Sequence, residues 1–212
     1  MLKLGEKNIS KLYYGEKAVS KAYLGDKLVY KKAGGRFVKS ILFDGNCYID
    51  TGIEHQNCTI DIGLTCNAVS GRQLMGWGSS AGTYWGIQNG KFELGGSVVL
   101  SSSDTTKYTE AKITATRTET EFSLTVENNG SSITRAGSVA SGLSTYVIGG
   151  LPPSYAYGFI GEMDFHKFTN AEGVVVQDLR PYVDENGIAC FKDVVTGNLF
   201  YNQGTGTLSY TE

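Results

Sequence analysis

Thr59-Ile60-Asp61-Ile62-Gly63-Leu64-Thr65-Cys66 alternates between two chemistries. Ile60, Ile62, Leu64 and Cys66 fall on one face, Thr59, Asp61 and Thr65 on the other. Period-two alternation marks a strand with one face in a core and one in water. The pattern recurs outward. On the C-terminal side come residues 73–77, then 84–88 and 91–94 flanking Asn89-Gly90. Asn-Gly between alternating runs is the strongest short-range hairpin signal. Residues 108–117 and 121–127 form another pair, and Asn128-Asn129-Gly130 turns the chain into 132–135. Further runs lie at 145–150, 157–168, 174–176, 188–191 and 199–201. On the N-terminal side, 41–43 and 47–53 flank the turn Asp44-Gly45-Asn46. No ten-residue helical stripe interrupts the series. Evenly spaced short strands with turn residues between them predict an all-β antiparallel sandwich or jelly roll over residues 36–212.

Composition agrees. The 212 residues include 28 glycines, 13 tyrosines and 9 phenylalanines but only 3 prolines, which suits strands punctuated by tight turns. A hydrophobic content of 41% supports a core and argues against global disorder. Nineteen basic against 21 acidic residues leave a net charge of −2, which argues against a nucleic-acid binder. No apolar run reaches the roughly 18 residues of a membrane span, and no signal-peptide pattern is visible at residues 1–7. Cys47, Cys58, Cys66 and Cys190 contain no CxxC pair and are expected to be buried free thiols, with one disulfide as the minor alternative.

The first thirty residues repeat: LGEKNISKLY at 4–13, YGEKAVSKAY at 14–23 and LGDKLVYK at 24–31. Three copies at a fixed period mark a repeat element. Gly5, Gly15 and Gly25 fall at turns, and Ile9, Val19 and Val29 share one position. This reads as a small β-meander, or as three short strands wrapping a partner, over residues 1–33, with a hinge near residue 35 at Ala33-Gly34-Gly35-Arg36. Three short strands bury little by themselves and need a partner. The interleaved acids make the lysine face a solvated one.

Phe43-Asp44-Gly45 followed by Tyr48-Ile49-Asp50-Thr51-Gly52-Ile53 resembles the opening strand of laminin-G-like, concanavalin A-like jelly-roll domains. Ile148-Gly149-Gly150 and Phe159-Ile160-Gly161-Glu162-Met163-Asp164 resemble the block near their end. The tail is more distinctive: Asp178-Leu179-Arg180-Pro181-Tyr182-Val183, then Asp193-Val194-Val195-Thr196-Gly197, Leu199-Phe200-Tyr201-Asn202 and Gly204-Thr205-Gly206-Thr207. It resembles the tail of lectin-like domains from phages and prophages of gut bacteria, and the N-terminal decapeptides resemble repeats of phage tail proteins. The resemblance implies a non-enzymatic, virion-surface or tail-associated adhesion module, made in the cytoplasm and displayed on the virion or cell surface. A host or bacterial surface glycan is the implied ligand, and virion or tail proteins are the implied partners of residues 1–33. By analogy with fibre-type proteins it implies a homotrimer. A purely structural virion protein, and a bacterial surface protein of similar fold, remain alternatives.

Sugar rings stack on aromatic faces, and a few polar groups fix their orientation. Trp77, Tyr84 and Trp85 bracket a loop of small residues, and Tyr155 and Tyr157 follow Pro152-Pro153, so these five are the candidate carbohydrate-binding residues. Hydrolysis is the rival chemistry. Gly161-Glu162-Met163-Asp164-Phe165-His166 resembles the catalytic strand of laminarinase-type glucanases, whose carboxylates share one strand face. Glu162 and Asp164 fit, but His166 and Lys167 stand where the second glutamate is needed, so no catalytic residue is assigned. Asp44, Asn46 and Asp50 offer too few oxygens for calcium. His55, Cys58 and His166 make a poor mixed metal site, and no cofactor is expected. Nothing marks a Ser-His-Asp nucleophile, and residues 76–86 lack the strand–helix setting of a phosphate loop.

Overall fold

In a computed structural model of the chain, backbone is described at residues 3–4, 7–8, 13–14, 17–18, 21–24, 27–31, 34–54, 57–67, 72–76, 84–88, 91–94, 97–101, 107–118, 121–138, 145–150 and 158–212. Side chains are described for 34–54, 57–66, 74–75, 108–118, most of 121–136, 145–150 and 158–212. The described residues are strands and turns, without a helix. The chain divides into two compact units, residues 1–36 with 183–188, and residues 37–182 with 189–212.

Among the described residues of the first unit, the decapeptides form three two-stranded sheets. β1 (Lys3–Leu4) pairs with β2 (Lys7–Asn8), β3 (Tyr13–Tyr14) with β4 (Lys17–Ala18), and β5 (Lys21–Leu24) with β6 (Lys27–Lys31). The closing pairs are Leu4 with Lys7, Tyr14 with Lys17 and Leu24 with Lys27. Each Gly-acid step therefore lies, in sequence, between two paired strands. The pairing recurs once per ten residues and, at Tyr13 and at Lys21 to Tyr23, joins the end of one decapeptide to the next.

The second unit holds two antiparallel sheets. Its strands follow β7 (Arg36–Phe37) in the order β8 (Ser40–Asp44), β9 (Ile49–Glu54), β10 (Cys58–Asn67), β11 (Arg72–Gly76), β12 (Tyr84–Gln88), β13 (Lys91–Leu94) and β14 (Ser97–Ser101). Then come β15 (Lys107–Arg117), β16 (Glu121–Asn128), β17 (Ser131–Ser138), β18 (Thr145–Ile148), β19 (Ile160–Asn170), β20 (Val175–Val183), β21 (Ala189–Asp193), β22 (Leu199–Phe200) and β23 (Ser209–Thr211). The eleven-stranded sheet runs β17-β16-β15-β10-β19-β20-β21-β22, with β7 on β20, β8 on β19 and β23 on β8. The six-stranded sheet runs β14-β13-β12-β11-β18-β9.

Ile60, Ile62, Leu64 and Cys66 of β10 are all buried, as their alternation requires. They share one core cluster with Ile113 of β15, Leu124 of β16 and Phe168 of β19 in the large sheet, and with Ile49, Met75, Tyr146 and Ile148 of the small one. Two inner faces meeting in one apolar layer make the fold an all-β antiparallel sandwich. Each such side chain contributes roughly 1.5–3 kcal/mol relative to exposure, before chain entropy is counted. Asn128 pairs with Ser131, leaving Asn129 and Gly130 as a two-residue loop with φ of +50° and +76°. Positive φ at both positions is the type I′ signature that the Asn-Gly sequence predicts. The four cysteines are buried thiols that form no disulfide. Burial, reinforced at Cys47 by the Asp44 carboxylate, pushes the Cys47 thiol up to about 12, and burial does the same to Cys66.

The tail motif is a set of turn braces. Asp193 accepts from the Asp178 and Val195 N–H groups and from the Thr196 hydroxyl at 2.9, 3.0 and 2.6 Å. Asn202 accepts from the N–H groups of Tyr48 and Gly204 and donates to the carbonyls of Gly204 and Gly206. Asp44 accepts from the N–H groups of Asn46 and Thr207. These bonds dock residues 202–207 on the 44–48 turn. Burial pulls the Asp44 carboxyl upward, but the two backbone N–H donors and the Cys47 thiol outweigh it and hold it below its ordinary value.

Candidate functional site

Trp77, Tyr155 and Tyr157 lie outside the described residues, as do the side chains of Tyr84 and Trp85. The backbones of the last two belong to β12, where Trp85 pairs with Met75 and Leu94. His55 also lies outside the described residues.

Glu162 and Asp164 are described, and a β-bulge decides their surroundings. Thr65 pairs with Glu162 and Leu64 with Met163, but Gly63 pairs with Phe165, so Asp164 is an extra residue in β19. A bulge of this kind shifts the phase of the strand. Met163, His166 and Phe168 consequently face the core, each fully buried. Glu162 and Asp164 stay half-buried on the outer face. The sequence alternation placed His166 on the face of the carboxylates; the bulge corrects that. The Phe165 ring instead lies over Gly63, where a Cβ would come 2.5 Å from Cε1.

Glu162 accepts from the Ser40 hydroxyl at 2.7 Å. Burial, then the charge of Glu162, raise the Asp164 carboxyl above its ordinary value, with Glu110 adding and Lys39 opposing. His166 sits 4.7 Å from the Phe168 ring, and neither ring nitrogen has a hydrogen-bond partner. Burial pushes its pKa down to about 3, so the imidazole is neutral and sealed from the outer face. It cannot hand a proton to a ligand at Glu162 and Asp164.

Matched ions cover the rest of this face. Asp61 accepts from Lys167 at 2.8 Å and from the Thr114 hydroxyl at 2.7 Å. Burial pulls the Asp61 carboxyl up, but these two donors outweigh it and keep it ionised. Arg180 grips Asp178 with Nε at 2.7 Å and Nη2 at 3.0 Å, and lies 5.2 Å from the Phe165 ring.

No described group of three or more His, Cys, Asp or Glu side chains is placed to hold a metal. Asp50, one of the calcium candidates, accepts from the Gly52 N–H and the Thr145 hydroxyl. Its role, like that of Asp44, is to brace a turn.

Sequence reasoning missed an open cleft of about 340 Å³ lined by Glu110, Lys112, Glu127, Asn128, Asn129, Gly130 and Ser132. Glu110 adopts φ of +48° at a register shift between β15 and β10, and its N–H donates to the Thr65 hydroxyl at 2.9 Å. That conformation had no signal in the sequence, whereas the turn forming the opposite wall was readable as Asn-Asn-Gly. The lining interleaves carboxylate acceptors, an ammonium donor, amides and a hydroxyl.

Compared with known proteins, the chain matches no family model and no curated protein sequence.

Proposed function

We propose that the chain is a non-catalytic adhesion module that binds surface carbohydrate, built on a concanavalin A-like jelly roll of the laminin-G-like kind. In this reading it is displayed on a virion or tail, residues 1–33 engage virion or tail proteins, and copies assemble as a homotrimer. The observation that carries the binding role is the polar cleft beside the Asn129-Gly130 turn. A sugar hydroxyl both donates and accepts, and the cleft offers Glu110, Glu127, Lys112, Asn129 and Ser132 to such groups. The absence of catalysis is supported by the turning of His166 into the core. Weak single sites suffice for adhesion because several copies on one particle multiply avidity.

The test is a bacterial and host glycan array probed with the full chain displayed multivalently, beside Glu127→Gln, Trp77→Ala and Trp85→Ala. Selective binding lost in Glu127→Gln supports the cleft. Binding lost only in the tryptophan variants keeps the lectin and moves its site to the 77–85 loop. Silence across the array overturns the reading in favour of a structural virion protein.

One observation favours hydrolysis as a second reading. The Asp164 carboxyl, raised by burial and by the charge of Glu162, offers the protonated group that a glycosidase acid needs. Release of reducing ends from a β-glucan by the wild type, lost in Glu162→Gln, is the result that would establish it.

A further inference from the structure

β20 alternates, with Gln177, Leu179 and Pro181 buried and Asp178, Arg180 and Tyr182 less so. Val38 N–H donates to the Pro181 carbonyl at 3.1 Å, which runs the segment after Phe37 along this strand. Phe37 thereby meets Tyr182 edge to face, with centroids 5.2 Å apart and planes at 71°. Lys192 Nζ lies 5.1 Å from the Tyr182 ring and 5.9 Å from the Phe37 ring. Phe37 is 55% exposed, high for a phenylalanine whose place is fixed by two neighbours.

Charge sets this corner apart. Lys167 is matched by Asp61, Arg180 by Asp178 and Lys39 by Glu110, while Lys112 stands opposite Glu127 in the sheet register. Among the described residues, Lys192 has no carboxylate partner; its ammonium lies near two aromatic rings.

We infer that Phe37, Tyr182 and Lys192 form a second carbohydrate site, selective for a pyranose that bears a carboxylate, such as a uronic acid. This rests on the carbohydrate-binding reading above but on different residues from the cleft. The exposed Phe37 ring offers a flat surface to the C–H face of a pyranose. A uronate carboxylate is fixed to that ring at its edge, so one stacked sugar presents its charge to a cation beside the aromatic pair. Lys192 supplies that cation, and the rings hold its position. A phosphodiester polymer carries its charge on a flexible arm and makes no use of the stacking surface. Neutral sugars gain the stacking without the charge.

The test measures binding of a tetrauronate to the full chain by titration calorimetry, beside a neutral tetrasaccharide of the same linkage and a glycerol-phosphate polymer. The variants are Phe37→Ala, Lys192→Gln, Lys192→Arg and, as a marker for the cleft, Glu127→Gln. The expected result is uronate binding at least tenfold tighter than the neutral sugar. Phe37→Ala and Lys192→Gln each weaken it tenfold or more, Lys192→Arg restores part of it, and Glu127→Gln leaves it intact. Equal uronate binding by wild type, Phe37→Ala and Lys192→Gln overturns the inference. So does loss in Glu127→Gln alone, or tighter binding of the phosphate polymer. Array ligands without any uronate binding overturn this site and leave the adhesion reading standing; silence toward every glycan removes both.

Discussion

The side-chain amide of Gln177 donates to the carbonyl of Thr51 at 2.9 Å, joining β20 of the large sheet to β9 of the small one through the buried interior. Thr51 also sends its hydroxyl to the Tyr146 carbonyl at 2.7 Å. One end of the sandwich is thus closed by polar contacts inside an apolar layer. Gln177→Met keeps volume but leaves the Thr51 carbonyl without this donor. A loss of about 1–3 kcal/mol is expected, the usual cost of an orphaned buried group. A urea midpoint unchanged from wild type would show that the bond contributes nothing.

His166 makes the fold acid-labile. Its pKa is about 3 when folded, against roughly 6.5 when unfolded. The unfolded chain therefore takes up the proton first. The stability contribution is complete above about pH 6.5 and is lost progressively as pH falls toward about 3, by a few kcal/mol in all. Asp61, across the strand on the outer face, acts in the opposite sense on the imidazole. His166→Leu should flatten the stability profile between pH 6.5 and 4, read from urea midpoints at each pH. An unchanged slope would assign the acid sensitivity to other groups.

Asp164 has the opposite sign. Its raised carboxyl pKa means that the folded state holds the proton longer, so this group erodes stability as pH rises through the carboxylate range. Asp164→Asn is expected to raise the melting temperature slightly at neutral pH, within the ~0.5 kcal/mol typical of surface changes. A fall in melting temperature would mean that the charge has a partner more favourable than Glu162 is repulsive.

Alternation made β10 legible because every second residue, from Ile60 to Cys66, meets the same core. The same rule failed on β19, where one extra residue reverses the faces after Met163. The clue was present: Met163 and Phe168, both apolar, stand an odd number of residues apart, a spacing that an unbroken strand cannot put on one face. β14 went unread because Val98-Val99-Leu100 is continuous rather than alternating, and β23 because Ser209-Tyr210-Thr211 is too short to show a period. The tail motif was visible as a pattern, but its work as turn bracing appears only in the bonds of Asp193 and Asn202. The Phe37, Tyr182 and Lys192 corner was hidden because sheet pairing, not sequence proximity, brings its members together.

Gly158 makes a tight backbone crossing near the carboxylate strand. A Cβ there would overlap the Gly45 carbonyl and lie 2.9 Å from the Gly149 carbonyl, both backbone atoms that side-chain motion cannot clear. Gly158→Ala is expected to cost more than about 2 kcal/mol, in the range of overpacked sites. Gly34→Ala, with nothing within 4 Å of its Cβ, serves as the neutral comparison. Equal melting temperatures for the two variants would contradict the crowding.

β23 pairs with β8, so Tyr210 lies against Ile41 and the Ser40 and Thr211 hydroxyls meet at 2.5 Å. The polypeptide enters and leaves the sandwich at neighbouring points. A domain with adjacent entry and exit can be spliced into a surface loop of a host protein without forcing that loop apart. The same closeness lets a short peptide join the two points and new ends be opened elsewhere, as in the 171–174 turn. It also makes assembly depend on a strand remote in sequence: β8 has its outer neighbour only after residue 211 has emerged from the ribosome.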